Sequence, residues 1–120
     1  SYSEGIATAP KYWLSKQASA IEYEIDSAIW KHLRGVIGLE VIDSPEAEKA
    51  VKTAPMAVEF VVKGDGVEIF HSAPFGYNSP PKTLDIDITG VNTLRLEIIN
   101  KGGSNDYIKS VDWAGVRLER

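Results

Sequence analysis

The sequence predicts an all-β fold, an antiparallel β-sandwich of jelly-roll type, on three observations. Apolar and charged residues alternate along residues 58–63, 67–72, 84–88 and 93–99, the two-residue period of strands with one buried and one solvated face. Gly64-Asp65-Gly66 separates the first two of these runs, and Asp-Gly at such a junction marks a tight hairpin turn with positive φ at both central residues. Turn residues recur at short intervals along the chain and little of it carries a helical period, which favours antiparallel neighbours over βαβ crossovers. Seven or eight strands and at most one or two short helical turns are expected.

The elements follow in order. Gly5-Ile6-Ala7-Thr8-Ala9-Pro10 is small and turn-prone, a short edge strand and then a loop, with Pro10 biasing Ala9 towards extended backbone. Tyr12 and Trp13 stand in that loop. Residues 21–25 place Ile21, Tyr23 and Ile25 on one face and Glu22 and Glu24 on the other. Residues 33–42 are apolar nearly throughout, which predicts a strand covered on both faces, with Gly35 and Gly38 marking a bulge or the close approach of another backbone. Trp30 precedes it, at a sandwich end. Asp43-Ser44-Pro45-Glu46 carries helix-start chemistry, a capping side chain, a proline in the first turn and acids facing the helix dipole, for one or two turns closed by Pro55. Residues 72–81 hold Pro74, Pro80, Pro81, Gly76 and Asn78 and read as a long exposed loop. Gly90 turns the chain between two strands, residues 100–106 form another loop, and residues 111–118 form the last strand.

A chain of 120 residues suits one domain, 1–120, with a single core. Its beginning shows no charged and apolar leader, so it reads as a module excised from a larger protein, monomeric as such. Thirteen basic and seventeen acidic residues give a net charge of -4 without a Lys/Arg cluster, which argues against nucleic acid as a partner. No apolar run approaches the roughly 18 residues of a membrane span. Cysteine is absent, which removes disulfides, thiolate chemistry and cysteine-based zinc sites. Catalysis is not expected either. Asp85 and Asp87 share a solvated strand face that cannot raise a carboxyl pKa, and His32 and His71 have no motif joining them to a nucleophile.

The order of motifs resembles a known family. Gly5-Ile6-Ala7-Thr8, Tyr23-Glu24-Ile25, Ile37-Gly38-Leu39-Glu40, the Gly64-Asp65-Gly66 hairpin, Pro80-Pro81-Lys82, Leu84-Asp85-Ile86-Asp87-Ile88-Thr89-Gly90-Val91, Leu94-Arg95-Leu96 and Asp112-Trp113-Ala114 together look like the NPCBM domains, carbohydrate-binding module family 51. The resemblance spans nearly the whole chain. It implies a galactose-binding-like jelly roll without catalytic activity, appended to a glycoside hydrolase in the same polypeptide, secreted or on the cell surface of a bacterium, binding galactose-type glycans and often calcium. Two positions depart from the family pattern. Ala9 stands where a His commonly follows the Thr, and Lys109-Ser110-Val111-Asp112-Trp113 stands where Asp-His-Ala-Asp-Trp is usual.

A sugar presents an apolar C–H face and a rim of hydroxyls, so its site needs an aromatic platform and a few fixed polar groups. Trp13, Tyr77 and Trp113 are the candidate platforms, and Glu40, Asn78, Asn105 and Asp112 the candidate polar partners. The plainer reading makes Trp113 a core residue and has turn Asn and Asp bracing their own backbone. For calcium, which rests on the resemblance, Glu4, Asp43 and Glu119 are candidate ligands, each otherwise a solvated carboxylate. The alternative function is a structural or protein-interaction sandwich that has lost sugar binding.

Overall fold

The structure, a computed structural model, describes the backbone of residues 3–5, 11–12, 19–103 and 105–120, and the side chains of 20–103 and 106–120. Nine strands lie among the described residues: β1 (Ser3–Gly5), β2 (Lys11–Tyr12), β3 (Ser19–Glu24), β4 (His32–Val41), β5 (Val58–Gly64), β6 (Val67–His71), β7 (Lys82–Asp87), β8 (Thr93–Asn100) and β9 (Ile108–Glu119). They form two antiparallel sheets. One runs β1-β9-β4-β7, with β2 also on β9, and the other runs β3-β8-β5-β6. The expected sandwich is therefore present.

Helix α1 (Pro45–Thr53) is nine residues long, more than the one or two turns expected. Ser44 Oγ accepts from Ala47 N at 3.1 Å, which satisfies one of the N–H groups that a helix start leaves without a partner. The helix ends at Ala54, one residue before Pro55, whose missing N–H cannot continue it.

Inward side chains of both sheets fill the space between them. Leu33, Ile37, Val58, Phe60, Leu94 and Trp113 are each no more than 1% exposed. Phe60 is at the centre, its ring edge-on to Phe75 at 5.1 Å and to Trp113 at 5.2 Å between centroids. Edge-to-face pairs add to the burial of their area because a positive ring edge meets a negative face.

The hairpin turn has the backbone that the sequence predicts, with φ of 51° at Asp65 and 83° at Gly66. The Asp65 carboxylate also accepts from Asn92 N at 3.1 Å and Thr93 N at 2.8 Å, tying this turn to the one between β7 and β8. Further along the hairpin the register slips between Val62 and Lys63, which leaves Ile69 as an extra residue on β6.

Gly35 lies at a register shift between β4 and β9, as expected. A Cβ there would come within 2.9 Å of Val116 Cγ2 and 3.1 Å of the Ala114 carbonyl. The expectation that β4 is covered on both faces needs correction. β4 is central within its sheet, between β9 and β7, but Val36 on its outer face is 37% exposed. β9 pairs along nearly all of it and β7 along its first six residues, His32 to Ile37, while only its inner residues meet the second sheet. The outward apolar positions are surface.

The outer face of the second sheet is an ion ladder. Arg95 contacts Glu22 at 2.9 Å and Glu97 at 2.5 Å, and Lys63 reaches Glu97 at 3.2 Å. His71 stands between two carboxylates, with Nε2 2.5 Å from Glu59 Oε1 and Nδ1 2.9 Å from Glu68 Oε1, and Lys101 Nζ lies 3.3 Å from the same Glu59 oxygen. Carboxylates only accept, so both contacts are hydrogen bonds when the imidazole carries two protons. The Glu59 bond and then the Glu68 bond raise the His71 pKa above 6.5, and the His71 bond is the main cause that lowers Glu59 below 4.5. The stability that His71 contributes is full below the unfolded imidazole pKa and is lost as pH rises through the higher folded value. That of Glu59 is full above the unfolded carboxyl pKa and is lost as pH falls through the lower folded value. Thermal unfolding from about pH 5 to about pH 9 should show the difference between the wild type and His71→Gln shrinking as pH rises. A difference that stays constant over this range would remove the charged imidazole from the account.

Candidate functional site

Two surfaces near one end of the sandwich bring candidate residues together. The first is built on the loop 72–81, which is more ordered than its composition suggests. Ser72 Oγ accepts from Phe60 N at 2.9 Å, and Phe75 exchanges backbone hydrogen bonds with Val58 at 2.7 and 3.0 Å. Phe75 is 6% exposed, so part of the expected exposed loop is a core anchor. Ser79 closes a turn over Tyr77 and Asn78, its N–H donating to Gly76 O at 3.2 Å and its Oγ accepting from Gly76 N at 2.7 Å.

Tyr77 is half-buried. Its hydroxyl accepts from Ser44 N at 3.3 Å and donates to Asp43 Oδ1 at 3.1 Å, which fixes the ring against the start of α1. Burial pushes the phenol pKa up, and the Asp43 carboxylate adds to the rise. Tyr77 and Asn78 line a groove of about 270 Å³ with Glu48, Val51 and Lys52 of α1.

The second surface is the outer face of the first sheet. Gly38 on β4 is opposite Asp112 on β9, and Glu40 is opposite Ser110. Val111 and Trp113 face the core at 0% and 1% exposed, so Ser110, Asp112 and Ala114 face outward by alternation. Val36, Gly38, Leu39, Glu40, Pro81, Asp112 and Ala114 surround a groove of about 200 Å³. Pro81 packs over the bare backbone of Gly38, where an added Cβ would lie 3.5 Å from its Cα. Ser110 Oγ donates to Asp112 Oδ1 at 2.9 Å and orients that carboxylate. β2 flanks the groove, with Lys11 opposite Asp112.

The predicted residues therefore divide. Glu40 and Asp112 share the sheet groove, and Tyr77 and Asn78 share the helix groove. Trp113 is a core residue, edge-on to Phe60, with an indole Nε1 that finds no hydrogen-bond partner among the described residues. Its ring offers no exposed platform. Trp13 lies outside the described residues, and for Asn105 and Glu4 the backbone alone is described, in a 3-10 turn (Asn105–Tyr107) and in β1. Val36, Pro81, Ser110 and Ala114 line or brace the sheet groove, and none is among the candidates above. The signal for Val36 was in the sequence, since a strand apolar at nearly every position leaves some apolar residues facing outward from a two-sheet fold.

Two of the calcium candidates, Glu119 and Asp43, lie far apart. Glu119 pairs with His32 at the start of β4, whereas Asp43 follows the end of that ten-residue strand. At a rise of about 3.3 Å per residue this separates them by roughly 30 Å. Glu119 already contacts Arg34 at 3.3 Å and Arg117 at 2.9 Å, and Asp43 holds the Tyr77 hydroxyl. Among the described residues no three acidic or histidine side chains gather to hold a metal ion.

Similar folds are known among solved structures. The CBM51 domain of Clostridium perfringens GH95, solved in complex with methyl-galactose, matches with a TM-score of 0.62 and 18% identity over 82% of this chain and 63% of that one. The CBM51-2 and INT domains of Clostridium perfringens ZmpB match at 0.61 and 23% identity over 82% of this chain. A larger ZmpB structure, with the M60 catalytic domain and both CBM51 domains, matches at 0.65 and 19% identity over 85% of this chain. This chain spans a fifth of the first ZmpB structure and a tenth of the larger one, at 20% and 10% of their lengths. No curated protein matches it. The sandwich is thus the fold of these CBM51 domains. The family model described as the NPCBM/NEW2 domain matches residues 1–119, and the chain belongs to that family.

Proposed function

We propose that this chain is a noncatalytic carbohydrate-binding module that seats a galactose-type sugar ring in the groove between β4 and β9. One observation carries the reading: two carboxylates, Glu40 and Asp112, flank an apolar floor of Val36, Gly38 and Ala114 walled by Pro81. A sugar ring has the complementary form, with C–H groups for the floor and O–H donors for the carboxylates. Both carboxylates stand on paired strands rather than on a loose loop, so little freedom is lost on binding. Ser110, at the position of the usual family His, keeps Asp112 oriented through its hydroxyl. The methyl-galactose complex of the GH95 domain supports the ligand class, and the M60 catalytic domain beside the CBM51 domains of ZmpB supports a catalytic neighbour.

Affinity per site is modest, because hydroxyls exchange water for protein partners and much of the sugar remains solvated. Attachment to a glycoside hydrolase of an extracellular bacterial protein then converts weak binding into a high local substrate concentration. Calorimetric titration with methyl galactoside tests the site. Asp112→Ala should weaken binding about tenfold or more, the loss expected for hydrogen bonds to a charged group, with an unchanged melting profile as the control for folding. Wild-type protein that binds no sugar on a glycan array would overturn the reading.

A further inference from the structure

Pro81 walls two cavities, not one. On one side it closes the β4–β9 groove, and on the other it lines, with Pro74, Pro80, Ser79, Phe75 and Lys82, a second cavity of about 290 Å³ at the root of the loop 72–81. From this one shared wall we infer that the site takes a linear oligosaccharide, with one sugar ring between Glu40 and Asp112 and the next across Pro81 on the ledge formed by Pro74 and Pro80. This rests on the saccharide reading of the first groove.

Three features support the second position. Adjacency is the first, since Pro81 lines both cavities and a glycosidic bond leaving the β4–β9 groove over its ring comes to the second one. The chemistry is the second. Pro74, Pro80 and Pro81 are all exposed and present rigid rings of C–H groups that suit the apolar face of a sugar, while Lys82 at the margin supplies a donor for ring or hydroxyl oxygens. Preorganisation is the third. The loop is fixed through the Ser72–Phe60, Phe75–Val58 and Gly76–Ser79 hydrogen bonds and through the contact of the Tyr77 hydroxyl with Asp43, so the ledge exists before a ligand arrives. The ledge adds contact area without a carboxylate. It therefore extends affinity, while selection of the first ring stays with Glu40 and Asp112.

The test is a calorimetric series on the 120-residue chain with methyl galactoside, N-acetyllactosamine and the tetrasaccharide of two N-acetyllactosamine units. The longer ligands should bind about five- to tenfold more tightly than the monosaccharide. A Pro74→Ala/Pro80→Ala variant should lose that gain to within about twofold while holding methyl galactoside as the wild type does, with circular dichroism and melting curves to confirm an unchanged fold. Equal affinity for all three ligands overturns the extended site and leaves the single-ring reading in place. A gain that survives in the variant overturns the proline ledge. Failure of every ligand to bind the wild type removes the single-ring reading and the extension together.

Discussion

Trp113→Ala should cost about 3–5 kcal/mol of stability, the range for removing a large aromatic from a packed core. The residue is 1% exposed, and Phe60 uses its ring and that of Phe75 as edge-to-face neighbours, so truncation opens a cavity in a three-ring cluster that joins both sheets. Against a total stability of about 5–15 kcal/mol for a domain of this kind, that loss approaches unfolding. Trp113→Phe provides the graded control. It keeps an aromatic ring against Phe60, removes an indole N–H without a partner among the described residues, and should cost well under half as much. Chemical denaturation of the three proteins measures the differences. A Trp113→Ala loss of less than about 1 kcal/mol would contradict the central place given to this ring.

Gly102→Ala should also destabilise, by about 1–3 kcal/mol, for a reason that involves no cavity. Residues 100–103 run closely against residues 54–57, with Lys101 N donating to Ala57 O at 2.7 Å and Gly103 N to Pro55 O at 3.0 Å. A Cβ on residue 102 would lie 2.3 Å from Ala57 N and 2.5 Å from Pro55 O. Both are backbone atoms, so no side-chain rotation relieves the overlap, and the two segments must part. That separation strains the bonds that lead the chain from α1 into β5. A clear fall in melting temperature for Gly102→Ala, beside a small change for Gly66→Asn in the exposed hairpin turn, separates close approach from turn preference. Equal, small effects would show that residues 54–57 can move.

Much of the fold was legible because its determinants are local. Alternation places Ile21 and Tyr23 inward on β3 and Leu84 and Ile86 inward on β7, and the Asp65-Gly66 turn needs only its own backbone angles. The site was less legible because it depends on register across strands. Gly38 and Asp112 are 74 positions apart in sequence and meet only because β4 pairs with β9, and Pro81 reaches them only after the loop 72–81 folds back over Gly38. Glu40 and Asp112 are candidates through chemistry and family likeness, whereas Val36 and Ala114, which line the same groove, have no side-chain polar atom to draw attention. Phe75 shows the converse problem. Prolines, glycine and asparagine around it indicate a loop, and nothing local reveals that its ring meets Phe60 at 5.1 Å.

The slipped register on β6 has a consequence for how such modules can crowd together. β6 is the edge of its sheet and carries Val67 at 65% and Ile69 at 37% exposed, the composition of a strand that another chain could extend. The extra residue at Ile69 breaks the even ladder of N–H and C=O groups that an incoming strand requires, and Glu68 and His71 set charges on either side of it. Many copies can thus crowd together without their edges fusing into a continuous sheet.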